Sequence, residues 1–214
     1  MPNRRLCTML SLKFINYLLV VLCLTGCFSG NVKKDVLANV ESGIVNVPEE
    51  AAIDFKLAIK HMNANELAKA EMILLKMRND FPFLSGSYAN LGVVYSRQKK
   101  WKDAQSILLE GHNKNKNNIK ILNQLGFAYR QNGEFKNAEA MYLKAIELMP
   151  KESSAYLNVG ILYDIYMGYF LKASHYYQTY QAMQSQPDKK IAGWIVDINR
   201  RAGIKTQVAS QVAP

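Results

Sequence analysis

The chain has 214 residues, 49% of them apolar and 21% charged, with 27 Lys+Arg against 17 Asp+Glu. That length supports one or two compact domains, the apolar share excludes a largely disordered chain, and 12 Gly with 6 Pro exclude a collagen-like filament. Three Cys are too few for a disulfide scaffold or a four-thiolate zinc site, and the net charge of +10 has meaning only once assigned to regions.

The amino-terminal end is basic through Arg4 and Arg5, and no acidic residue precedes Asp35. Phe14 to Leu24 is mostly apolar, interrupted by Asn16 and Tyr17. At about a dozen residues this stretch falls short of the roughly twenty that cross a bilayer core. A basic start, a short apolar stretch and small residues after it describe a secretory signal peptide, here residues 1–26.

Leu24-Thr25-Gly26-Cys27 resembles the lipobox of bacterial lipoproteins. The resemblance implies thioether lipidation of Cys27, cleavage before it and acylation of the new amino terminus. Cys23 offers Val21 and Leu22 where small residues are needed, so it competes poorly. Two or three acyl chains suffice for stable membrane anchoring. Cys7 and Cys23 then leave with the signal, and so do Arg4, Arg5 and Lys13, which lowers the net charge to +7. An exported protein is not expected to meet nucleic acid, and the basic surplus reads as solubility or attraction to anionic headgroups or an acidic protein. By the enterobacterial sorting rule, Phe28 in place of an Asp after the lipidated Cys points to the outer membrane rather than the inner. Residues 27–50 are read as the lipidated Cys and a tether, within which Val36, Leu37, Val40 and Ile44 have the spacing of a short helix.

From residue 51 the sequence repeats. Leu57, Leu91, Leu125 and Val159 stand 34 residues apart, each followed by a small residue: Ala58, Gly92, Gly126 and Gly160. His61, Tyr95, Tyr129 and Tyr163 keep the step, as do Ala70, Ala104 and Ala138, with Ala173 one residue late. Leu74, Leu108, Tyr142 and Tyr177 (again one late) follow, and Pro82 and Pro150 close the first and third units. A period of 34 with this residue order resembles the tetratricopeptide repeat. The best unit is Leu122 to Pro150, with Leu125, Gly126, Tyr129, Gly133, Phe135, Ala138, Tyr142 and Ala145 on family positions.

The resemblance implies an all-α solenoid of about four helix pairs at 51–84, 85–118, 119–152 and 153–186. Small residues let the helices of a pair cross closely, and stacked neighbours bury what one pair alone leaves exposed. One extra residue between Tyr163 and Ala173 predicts a bulged turn in the fourth unit. Pro187-Asp188 opens an amphipathic capping helix over 187–203, with Ile191, Trp194, Ile195 and Ile198 on one face; residues 204–214 read as a loose tail.

No residues in the chain form a metal-ligand or nucleophile motif, a P-loop or a dinucleotide fingerprint. His61, His112 and His175 are scattered, and His61 occupies a core aromatic position. The expectation is therefore a non-catalytic protein without cofactor or metal. In these solenoids the first helix of each pair lines a concave groove, where Asn90, Arg97, Asn123, Phe127, Arg130, Asn158 and Ile161 are the candidates for holding a protein or peptide partner. The family's carboxylate clamp is matched only by fragments, Asn90 and Lys120. A lipobox joined to a short repeat array resembles the lipoproteins that assist secretin assembly in pilus and secretion systems. The implied role is a lipid-anchored assembly factor on the periplasmic face of the outer membrane. An adaptor that recruits peptidoglycan hydrolases or proteases is the alternative.

Overall fold

A computed structural model describes residues 47–203, and these are entirely helical outside their turns. Cys27, the signal segment, most of the tether and the tail from residue 204 lie outside the described residues. In chain order the helices are α1 (Glu49–Asn63), α2 (Leu67–Asp80), α3 (Ser85–Arg97), α4 (Trp101–Lys114), α5 (Ile119–Gln131), α6 (Phe135–Leu148), α7 (Ser153–Ile161), α8 (Phe170–Ala182) and α9 (Lys189–Arg201). A π-helical turn, Leu162–Met167, prolongs α7. Each odd helix from α1 to α7 packs on the even helix that follows it, each pair packs on the next, and α9 closes on α8.

The 34-residue step is a packing instruction. A Cβ on Gly92 would stand 2.5 Å from the Leu108 side chain, one on Gly126 2.6 Å from the Tyr142 ring, and one on Gly160 2.5 Å from the Tyr177 ring. Any side chain there would overlap its partner helix, so the residue must be glycine. The bulk that fills each site comes from Leu108, Tyr142 and Tyr177, one turn beyond the alanines at 104, 138 and 173. All six are fully buried. Burying a side chain of this size stabilises the fold by about 2 kcal/mol.

Turns repeat as faithfully as cores. Asn65, Lys99 and Gly133 adopt left-handed φ values of 58°, 59° and 81°, and Gly168 follows one residue late at 68°. Each ends the first helix of its pair with the same bond from the following amide, such as Glu134 N–H to the Tyr129 carbonyl at 2.9 Å. In the fourth unit the corresponding bond, Tyr169 N–H to the Tyr163 carbonyl at 2.8 Å, spans one residue more. The extra residue anticipated in the turn is therefore inside the helix. It is taken up as the π turn, and the left-handed glycine turn keeps its form.

Proline ends α2 and α6 as anticipated, and its carbonyl is used again: the hydroxyls of Tyr88 and Tyr156 donate to the carbonyls of Pro82 and Pro150, both at 3.1 Å. Asp188 caps α9 by accepting from the amides of Lys190 and Ile191 at 2.9 and 3.2 Å. Its apolar face places Ile191 and Ile198 in the core, with Trp194 against the Tyr177 ring at 5.6 Å. Arg201 at its far end pairs with Asp164 of the π turn, which also accepts from the Tyr177 hydroxyl at 3.2 Å. His61, in the last turn of α1, is only half-buried and bonds Glu66 through Nδ1 at 2.5 Å, so it ties the helix end to the following turn rather than filling the core.

Candidate functional site

The first helices α3, α5 and α7 stand side by side, and between them lies an open hollow of about 260 Å³. Val93, Ser96, Arg97, Asn123, Gln124, Phe127 and Asn158 line it. Four of the seven candidate residues, Arg97, Asn123, Phe127 and Asn158, are thus brought together. Val93, Ser96 and Arg97 fall on successive turns of α3, and Asn123, Gln124 and Phe127 on those of α5, because residues three and four apart share a helix face.

The other three candidates are not part of the lining. Asn90 is fully buried, and its carbonyl oxygen accepts from the Lys120 ammonium across the interface between the second and third pairs. Ile161 is half-buried and packs into the core of the fourth pair. Arg130 is 7% exposed and lies at the edge of the hollow, its guanidinium over the Phe127 ring at 5.0 Å and over Tyr166 of the π turn at 5.5 Å.

Phe127 is the apolar centre of the hollow. Trp101 at the start of α4 meets it edge-on at 5.8 Å, which fixes one side of its ring. Around it the polar groups are amides, a hydroxyl and cations, with no carboxylate in the lining. Arg97 is held at the rim by donating through Nη1 to the Met62 carbonyl at 2.6 Å, the end of α1. Burial lowers the Lys120 ammonium from its usual range, and the nearby Arg97 charge adds to the effect. Asn123 donates to the Ser154 hydroxyl at 3.3 Å, leaving its buried carbonyl oxygen without a protein partner among the described residues. Ser96 Oγ and Asn90 Nδ2 are likewise unpartnered. The half-buried amides of Gln124 and Asn158 beside an aromatic anchor suit an extended chain, whose backbone needs such partners at regular intervals.

A second, larger hollow of about 440 Å³ opens along α4, lined by Lys102, Gln105, Ser106, Leu109, Asn132 and Glu134. Three of its polar side chains already engage one another: Gln105 donates to Glu134 at 2.9 Å and accepts from Asn132. The hollow around Phe127 is therefore the better candidate, although it is smaller. Ser96 and Gln124 complete its lining without having been singled out from sequence, since a serine and a glutamine on a helix carry no motif. Among the described residues no group of acidic, His or Cys side chains is placed to hold a metal ion, and no helix is long and apolar enough to cross a membrane.

The tetratricopeptide repeat model matches residues 119–152, the third pair. Among solved structures, Pseudomonas aeruginosa pilF is similar at 18% identity and a TM-score of 0.66, over 72% of this chain and 70% of that one. A crystal structure of MamA protein is similar at 20% identity and a TM-score of 0.62, over 74% and 85% of the two chains. The first tetratricopeptide domain of Spaghetti (RPAP3), bound to the HSP90 peptide SRMEEVD, aligns at 17% identity and a TM-score of 0.52, over 56% of this chain and 93% of its own. No curated protein matches in sequence. The shared property is the fold: a solenoid of the tetratricopeptide kind.

Proposed function

We propose that the protein is a non-catalytic scaffold that holds an extended segment of another envelope protein in the hollow between α3, α5 and α7. The observation that carries this reading is the lining itself: Phe127 flanked by Arg97, Asn123, Gln124 and Asn158. Such a surface offers backbone partners and one apolar anchor, and it gathers no acid, base or nucleophile for catalysis. The RPAP3 structure supports the mode of use, since that domain of the same fold is solved with a peptide bound.

The finer reading is a lipid-anchored assembly factor for a pilus or secretion system, attached through Cys27 to the periplasmic face of the outer membrane. The lipobox-like Leu24-Thr25-Gly26-Cys27 joined to repeats supports it, as does the likeness in fold to pilF. The experiment is photo-crosslinking in the native host from a benzoyl-phenylalanine at position 127, combined with Cys27→Ser and a deletion strain. The reading expects one predominant adduct with a pilus or secretion component, release of the Cys27→Ser protein from membranes, and loss of assembled secretin on deletion. Normal secretin assembly in the deletion strain sinks the pilus reading, and adducts dominated by peptidoglycan hydrolases replace it with the adaptor role. Absence of any adduct at 127 removes the hollow from consideration.

A further inference from the structure

Arg130 is a buried charge without an opposite charge. Only 7% of the residue is exposed, and its Nε and Nη1 are sealed from solvent with no hydrogen-bond partner among the described residues. No carboxylate among the described residues stands within 4.0 Å of it: Asp164, in the neighbouring π turn, is taken by Arg201 and the Tyr177 hydroxyl. What surrounds the guanidinium is aromatic. Phe127 lies on one side and Tyr166 on another, and the phenol of Tyr142, whose ionisation burial pushes far up, leaves its own hydroxyl unpartnered.

Stacking on two rings recovers only part of what a guanidinium loses on leaving water. Desolvation costs more than that, and buried charges in proteins are accordingly paired. The groups that hold Arg130 in place therefore leave its pairing capacity unused, next to a hollow that already lacks carboxylates and carries Arg97 at its rim. Tyr166 is the exposed side of the enclosure. It is 37% exposed, and the π turn carries it.

We infer that Arg130 is the receptor for a carboxylate of the bound segment, which enters by displacing the Tyr166 ring and pairs with the guanidinium fork beside Phe127. The inference rests on the peptide-binding reading of the hollow and names the chemistry of its occupant: an acidic segment with an apolar residue next to the acid. A planar fork matches a carboxylate through two parallel bonds, a geometry that lysine does not reproduce. The Lys120 ammonium is engaged by Asn90 and Arg97 donates to the Met62 carbonyl, whereas the Arg130 guanidinium makes no hydrogen bond among the described residues.

The test is a position-scanning octapeptide library offered to the full-length protein in detergent micelles, once with free and once with amidated carboxyl ends. Asp and Glu should be enriched at least fivefold at one position, beside an apolar preference. Arg130→Met and Arg130→Lys should both abolish the acidic enrichment while the apolar preference persists. Enrichment that needs the free end assigns the carboxylate to a chain terminus, and enrichment in both libraries assigns it to a side chain. An apolar preference with no acidic one, or an acidic one that survives Arg130→Met, overturns the inference and leaves the peptide-binding reading standing. A library from which nothing is selected overturns both. If Arg130→Met fails to fold, Tyr166→Ala substitutes for it: opening the enclosure should strengthen the acidic enrichment, and a weakening or no change overturns the inference.

Discussion

The third and fourth helix pairs differ by one residue and show what that residue does. In the third, α5 runs straight into the Gly133 turn, and Tyr142 fills the space over Gly126. In the fourth, Tyr177 fills the space over Gly160 in the same way, but α7 first widens into the π turn. The widened turn carries Asp164 to Arg201 of α9 and brings Tyr166 against Phe135 at 5.3 Å and over Arg130. The packing over the glycine is the same in both pairs, and the inserted residue acts at one end of the first helix. Core packing and surface chemistry are thus separable within a single repeat.

The largest test of that separation removes the common feature. Gly126→Ala and Gly160→Ala should each cost about 3 kcal/mol by driving a methyl into a buried tyrosine ring, read as a lower midpoint of urea unfolding. Only Gly160→Ala should also speed amide exchange in α9, because Tyr177 carries both Asp164 and Trp194. Equal exchange in the two variants would break the distinction between the pairs.

Asp164→Ala comes next. Arg201 is 39% exposed, so solvent screens the pair, and the loss should be about 1–2 kcal/mol. Hydrogen exchange should rise across 189–201 and stay unchanged across 119–148. A uniform rise would mean that the cap and the third pair unfold together.

Deleting Ile165, a 66% exposed residue of the π turn, restores the 34-residue step. The fold should survive at a cost of about 1 kcal/mol, since Tyr166 leaves the Phe135 ring and the Arg130 guanidinium. Circular dichroism and thermal unfolding check this, and a collapse of the fold would show the extra residue to be structurally required. The smallest effects belong to the turns. Gly133→Ala should cost about 1 kcal/mol, while Lys99→Gly should gain up to about 1 kcal/mol by relieving a left-handed residue with a Cβ.

Much of the fold was legible because repetition multiplies a weak signal. One Gly in one helix says little, but Gly92, Gly126 and Gly160 each before a tyrosine three places on describe one contact made three times. The site was less legible. Position on a helix face grouped Arg97, Asn123, Phe127 and Asn158, which line one hollow. It did not separate them from Asn90, because the Lys120 that engages Asn90 comes from the next pair, 30 residues on. Nor does a period reveal where a surplus residue goes. Helix and turn compete for it, and the turn, with its left-handed glycine and two amide bonds, is the stiffer of the two.

That stiffness bears on how such an array diverges. A residue inserted ahead of a left-handed turn rotates the last turn of the first helix and leaves the second helix in register. Length variation is thereby channelled to the end of the first helix, where it changes the exposed side chains while the stacking of pairs is preserved. A single codon insertion can thus revise the surface chemistry of a repeat without refounding its core.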